Sequence, residues 1–120
     1  MLLSYKGGKT GKQYSFVVGY FPWDDGDVIV SSTANWPKVV GTAQDVRVLI
    51  KGQWFTAHPT AIKEAEQKAD VLSEFARRNG PRAAKGLMLG LPGDRRPDRQ
   101  QLLAAAAKTT LVRFSLTAAT

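Results

Sequence analysis

Two tight-turn signals, Asp24-Asp25-Gly26 and Lys51-Gly52, each fall between stretches whose apolar residues recur at every second position, and this constrains the chain more than any other feature. Period-two alternation is the mark of a strand, and a short glycine-containing turn folds one strand back antiparallel on its predecessor. Before the first turn, Tyr14, Phe16, Val18 and Tyr20 alternate with Ser15, Val17, Gly19 and Phe21. Both sets are largely apolar, which predicts a strand over residues 14–21 buried on both faces, as in a barrel wall. Residues 27–33 form the returning strand. Around the second turn, Val46, Val48 and Ile50 alternate with Arg47, Leu49 and Lys51, and residues 54–62 return. With a short strand over 2–5, the first half reads as an antiparallel meander.

From Lys63 the period changes. Ala65, Ala69, Leu72 and Ala76 share one helical face with Phe75 beside them, and Asn79-Gly80-Pro81 is a strong stop. Residues 83–91 are apolar but interrupted by Gly86 and Gly90, which predicts a short helix or a close-packed loop. Pro97 and Asp98 open a helix through Ala107, and Val112, Phe114 and Leu116 alternate in a last strand. A short helical turn is expected over 37–43, with Pro37 at its first position. The expected fold is mainly β with flanking helices: about six strands in one domain over 1–120, forming a small closed or split barrel. A β-sandwich is the alternative.

At 120 residues the chain is large enough to bury a core without staples. It has no cysteine, which excludes disulfides, thiolate catalysis and thiolate-bound metals, and its single histidine, His58, excludes a histidine-rich metal site. No Ser or Cys stands in a nucleophile setting beside His58, so a structural role is expected for it. Glu64 and Glu66 are two apart on a helix and point in different directions, which makes them solvated helix charges rather than a paired acid and base. Met1-Leu2-Leu3 is too short for a signal core and no apolar run approaches a membrane span. A cytoplasmic protein is expected, with peripheral membrane association left open.

The formal net charge of +7 favours anionic partners. The densest chemistry is Gly7-Gly8-Lys9-Thr10-Gly11-Lys12, in which glycines allow close backbone approach and Lys6, Lys9 and Lys12 supply charge; it reads as an anion-binding turn or as a solvated hairpin turn. A nucleotide P-loop is excluded by spacing, since Leu3 stands where a motif ending at Lys9-Thr10 needs glycine. Trp36, near Lys38 and a polar strand exit, could stack a planar ring; Trp23, Trp54, Tyr14 and Tyr20 fit a barrel wall. Basic residues do not alternate with aromatics along a strand, so no nucleic-acid partner is expected. An anionic, aromatic cofactor with no side-chain catalyst fits these features, and hydride transfer suits such a site.

The stretch Leu2-Leu3-Ser4-Tyr5-x-Gly7-Gly8-Lys9-Thr10-Gly11-Lys12, followed by Val17-Val18-Gly19-Tyr20, Asp25-Gly26-Asp27 and Ser31-Ser32-Thr33, resembles the deazaflavin-dependent nitroreductase and quinone-reductase family. The resemblance covers about residues 2–61. It departs where the family's first basic turn residue is Gly8 here, and where Trp36-Pro37-Lys38-Val39 replaces a W-x-N-L stretch. The resemblance implies a split β-barrel of the flavin-reductase and pyridoxamine-phosphate-oxidase type, often dimeric, that binds deazaflavin coenzyme F-420. By position, Lys9, Thr10, Gly11 and Lys12 would meet its phosphate or acidic tail. Ser15, Phe16 and Val17 would line the deazaflavin edge, Ser31, Ser32 and Thr33 would approach it, and Trp36 and Lys38 would lie near its phosphate. The implied activity is oxidoreductase, with two-electron reduction of a quinone or nitroaromatic small-molecule acceptor. Flavin mononucleotide (FMN) is the alternative cofactor, and a non-catalytic split-barrel ligand-binding protein the alternative function. Phe75, Leu87, Met88 and Leu91 are candidates for an acceptor pocket or for core, and Tyr20 for a proton source.

Overall fold

A computed structural model of the chain describes residues 1–7, 11–33, 40 and 43–118. The described residues form seven strands: β1 (Leu2–Lys6), β2 (Gln13–Val17), β3 (Phe21–Pro22), β4 (Val28–Ser32), β5 (Gln44–Ile50), β6 (Gln53–Ile62) and β7 (Thr110–Ala118). Three helices lie between the last two: α1 (Ala65–Asn79), α2 (Pro81–Lys85) and α3 (Arg99–Ala106). The helical turn expected over 37–43 falls largely outside the described residues.

Two compact units are present. One holds the residues up to Ala61 together with those from Leu111 onward, and the other is Ile62–Thr110. In the first unit all seven strands join one antiparallel sheet in the order β2-β1-β5-β6-β7-β4-β3. The turns act as expected in making the hairpins β1–β2, β3–β4 and β5–β6. At the β5–β6 turn, Lys51 (φ 50°) and Gly52 (φ 81°) are both left-handed, the geometry that matches strand twist. The expected meander is replaced by three hairpins side by side, because β1 pairs with β5 and β7 enters between β6 and β4. Turn chemistry fixes each hairpin and carries no information about which hairpins become neighbours.

The strand order itself dictates curvature. β2 and β3 stand at opposite edges of the sheet, yet only Val18, Gly19 and Tyr20 separate them. In a flat sheet six spacings of about 4.8 Å would part those edges by roughly 29 Å. The chain from Val17 to Phe21 reaches at most about 14 Å. The sheet therefore curls into a half-barrel. The Met1 and Val18 main chains exchange two 2.9 Å hydrogen bonds that extend the β1–β2 ladder to Val18. The chain leaves one edge there and joins the other at Phe21.

Residues 14–21, expected as a single strand, are thus one extended path that changes partner midway. Burial on both faces is not found. Register puts Phe16 beside Leu3, and Leu3 beside Val48, on the face that forms the core with Tyr5, Val30 and Phe114. The opposite face carries the row Val17, Leu2, Leu49, Trp54, and Val17 is 79% exposed. An apolar residue on an edge strand has a neighbour on one side only, and alternation does not reveal which strand is the edge.

In the second unit α1 buries Ala69, Leu72, Phe75 and Ala76, the face that its periodicity predicts. A reciprocal cap starts α3: Gln101 N donates to Asp98 Oδ1 at 2.8 Å and Asp98 N to Gln101 Oε1 at 2.9 Å. Lys68 of α1 donates to the carbonyls of Ala106 (3.4 Å) and Thr109 (3.0 Å), satisfying acceptors at the end of α3. Arg99 pairs with Glu66 and Asp70. Hydrogen bonds from Arg77 and then Arg78 hold the Glu74 carboxyl down to about 2.

Two measurements check this account. Phe114→Ala should cost about 3–5 kcal/mol in urea unfolding, and Val17→Ala no more than about 0.5 kcal/mol, because only the first side chain is enclosed. Since the native Glu74 pKa is depressed, its ion pairs are intact above the ordinary carboxylate range and are lost as pH falls from about 4.5 towards 2. Carboxyl NMR should place the Glu74 midpoint near 2, moving up towards 4.5 in Arg77→Ala/Arg78→Ala.

Candidate functional site

The β1–β2 hairpin ends in the glycine-lysine turn, of which Gly7, Gly11 and Lys12 are described; Lys9 and Thr10 lie outside the described residues, as do Trp36 and Lys38. Gly7 N donates to Lys12 O and Gly11 N to Gly7 O, each at 2.9 Å, so the turn is closed by its own main chain. Gly11 has φ +66°, a conformation that glycine adopts without strain, and a Cβ placed there would meet nothing within 4 Å among the described residues.

Lys12 and Lys6 are exposed on either side of this turn. The Lys12 ammonium lies 5.8 Å from the centroid of the Tyr14 ring. Tyr14 in turn stacks on Tyr5 at 5.4 Å, and Tyr5 meets Phe16 edge-on at 6.0 Å. A cation therefore caps an aromatic column that runs from the turn into the core. Burial, reinforced by the neighbouring Tyr14, pushes the Tyr5 hydroxyl above the ordinary tyrosine range, so it stays neutral at physiological pH.

Ser15 and Val17 face away from this column. Ser15 Oγ donates to Ser4 Oγ at 3.2 Å and Gln13 Nε2 donates to the same oxygen at 2.6 Å, which satisfies a serine only 4% exposed. Consecutive strand residues alternate, so Ser15, Phe16 and Val17 cannot offer one side-chain surface. Met1 and Val18 exchange both main-chain bonds, so along β2 Phe16 directs its N–H and C=O to Leu3 of β1, while those of Ser15 and Val17 face the other side, where β2 has no strand partner among the described residues. Ser31 and Ser32 are half-buried at the end of β4, with Thr33 exposed beyond them. The β3–β4 register pairs Phe21 with Ile29 and Pro22 with Val28, and the three serine and threonine positions follow at the far end of β4.

Other candidates are dispersed. Phe75 and Leu91 are buried in the second unit, Leu87 is half-buried and Met88 is 88% exposed, so these four do not line one pocket. Tyr20 is half-buried and packs against the core. His58 is exposed on β6, Glu66 is held by Arg99, and the described residues contain no acidic or histidine cluster able to hold a metal ion. Trp54 is partly exposed with Arg47 5.6 Å from its ring, and Trp23 meets Phe21 edge-on at 5.9 Å.

Two features went unread in the sequence. The Ser4 hub could have been found by pairing alternating positions across the hairpin, which sets Ser4 opposite Ser15. A depression of about 330 Å³ lined by Asp45, Val46, Arg47 and Thr56 could not. It sits at a bulge where β5 gains one residue against β1, with Asp45 at φ 52°, and no turn signal marks the place.

The hairpin presents exposed cations at Lys6 and Lys12 for an anion and an edge strand beside them, with no histidine or carboxylate on it among the described residues. Comparison with protein-family models and with curated proteins finds no match.

Tyrosine titration tests the column. Tyr5 should ionise above the ordinary tyrosine range, and Tyr14→Phe should lower its midpoint part of the way towards the ordinary value, because burial remains. Since the folded pKa is raised, stability from this group is complete below pH 10 and is lost as pH climbs above it.

Proposed function

We propose that this chain is a deazaflavin-dependent oxidoreductase with a split β-barrel fold, reducing a quinone, nitroaromatic or similar electron-poor acceptor. One observation carries the reading: a lysine-flanked glycine turn runs directly into β2, a strand that stands at the edge of the sheet among the described residues. An anionic group and a flat ring on one molecule would be met by these two features in that order.

The residues fit coenzyme F-420 on their chemistry. Lys6 and Lys12 are exposed cations for a phosphate and an acidic tail, and Gly11 has no side chain to obstruct it. The outward N–H and C=O groups of Ser15 and Val17 are the natural partners for the polar edge of the ring, with Phe16 between them fixing the strand to β1. Ser31 and Ser32 close the seam from β4. When bound, the reduced deazaflavin supplies a hydride and disfavours one-electron steps, so the protein contributes position and charge. No base among these residues is required, and solvent delivers the proton.

The test is titration of tryptophan fluorescence with F-420 and, separately, with FMN, followed by quinone-dependent oxidation of the reduced coenzyme. Saturable F-420 binding is expected, weakened about fivefold by Lys12→Ala, which is about 1 kcal/mol, with a larger effect at low salt. Preference for FMN would move the protein to a flavin reductase of the same architecture. Binding of neither would sink the proposal and leave a non-catalytic ligand-binding barrel.

A further inference from the structure

In the second unit, the chain after α2 makes a turn over residues 86–91 whose middle residue is Met88. Leu89 and Leu91 point inward and are buried, while Met88 is 88% exposed. Its backbone has φ 60°, a left-handed conformation that an unbranched apolar residue seldom adopts, and Gly90 beside it has φ 82°. The turn therefore bears local strain to project its most apolar flexible side chain into solvent, an arrangement that stability alone does not favour.

Cations adjoin the turn. Lys108 donates from Nζ to Leu89 O at 3.5 Å, and that nitrogen would be 3.0 Å from a Cβ at Gly90. The Lys85 stem lies against Gly93, its Cδ 2.6 Å from where a Cβ would stand, while Met88 N donates to Lys85 O at 3.0 Å. Arg82 is exposed one turn earlier on α2. None of these three is in a salt bridge among the described residues, and the nearby Asp94 is engaged by Arg95 at 3.2 Å. An exposed apolar side chain on a turn adjoined by cations without a salt bridge among the described residues is complementary to a surface that is apolar inside and anionic outside.

We propose that the 86–91 turn is a docking tip for an anionic lipid surface, with Met88 entering the acyl boundary and Lys85, Lys108 and Arg82 meeting headgroups. A lipid surface is favoured over an acidic protein because the feature is convex. A bilayer accepts a protruding side chain wherever it lands, whereas a protein partner must present a matching pocket. Long lysine stems also reach past the interface to keep their charge in the headgroup layer. Apolar insertion and charge each contribute modestly, so reversible peripheral binding is expected.

The experiment is sedimentation of the full chain with vesicles of phosphatidylcholine alone and of phosphatidylcholine with 30% phosphatidylserine, roughly the anionic content at which basic residues bind measurably. Wild type should bind the anionic vesicles and not the neutral ones. Met88→Gly should lower the partition coefficient about tenfold while raising Tm, since glycine removes the tip and relieves the positive φ. Those opposite directions separate docking from folding. Lys85→Gln/Lys108→Gln should also lower partitioning about tenfold. Failure of wild type to bind anionic vesicles overturns the proposal, as does Met88→Gly binding like wild type, which would assign the attraction to diffuse charge. Equal binding to neutral vesicles overturns the charged half of it.

Discussion

Three residues, Val18, Gly19 and Tyr20, join the two outermost strands of a seven-stranded sheet, and the remaining geometry of the first unit is subordinate to that short span. A link of this length cannot cross a flat sheet, so curvature is imposed by covalent reach rather than left to strand twist alone. Curvature in turn gathers Leu3, Val48 and Phe114 onto one enclosed face, where each is fully buried. It also makes the strand that feeds the link an edge strand, which is why Val17 and Ser15 stand in solvent. The enclosed core and the open seam have one cause.

The β1–β2 hairpin borders that seam. The glycine-lysine turn supplies charge without catalytic groups, the aromatic column of Tyr14, Tyr5 and Phe16 fixes the inner wall, and the outer side is tied down by Ser4 accepting two side-chain hydrogen bonds. A ligand held by main-chain groups tolerates variation in the side chains along β2, because neither N–H nor C=O depends on residue identity. The rigid part of the site is then the hairpin backbone, and the adjustable part is the charge around it.

Much of this was legible in the residues and some was not, for definite reasons. Lys51-Gly52 and Asp24-Asp25-Gly26 located two hairpins because turn chemistry is local, although the second is a 3₁₀ turn with Asp25 left-handed rather than a two-residue turn. The face of α1 followed from the spacing of Ala69, Leu72 and Ala76. Partner choice between hairpins did not follow, since β1 meets β5 across more than forty residues of sequence and no local pattern encodes that encounter. At the candidate site, Gly11 and Lys12 were named from the glycine-lysine stretch, and the structure places them in the turn of the β1–β2 hairpin. The opposite orientations of Ser15 and Phe16 were implicit in the strand period, whereas the edge position of β2 depends on strand order, which no local pattern encodes. Grouping Met88 with Phe75 and Leu91 failed because hydrophobicity does not say which apolar residue of a turn is turned outward.

The position of β7 has a consequence for how the protein is made. It lies between β6 and β4, so the β3–β4 hairpin gains its second neighbour only when residues 110–118 arrive. On a ribosome, the flanks of β4 and β6 must wait through the synthesis of the whole helical unit with their hydrogen-bonding edges unmatched. Without β7, the β3–β4 hairpin would be tied to the rest of the sheet through the Val18–Tyr20 link alone, so one strand late in the chain decides whether the sheet is continuous.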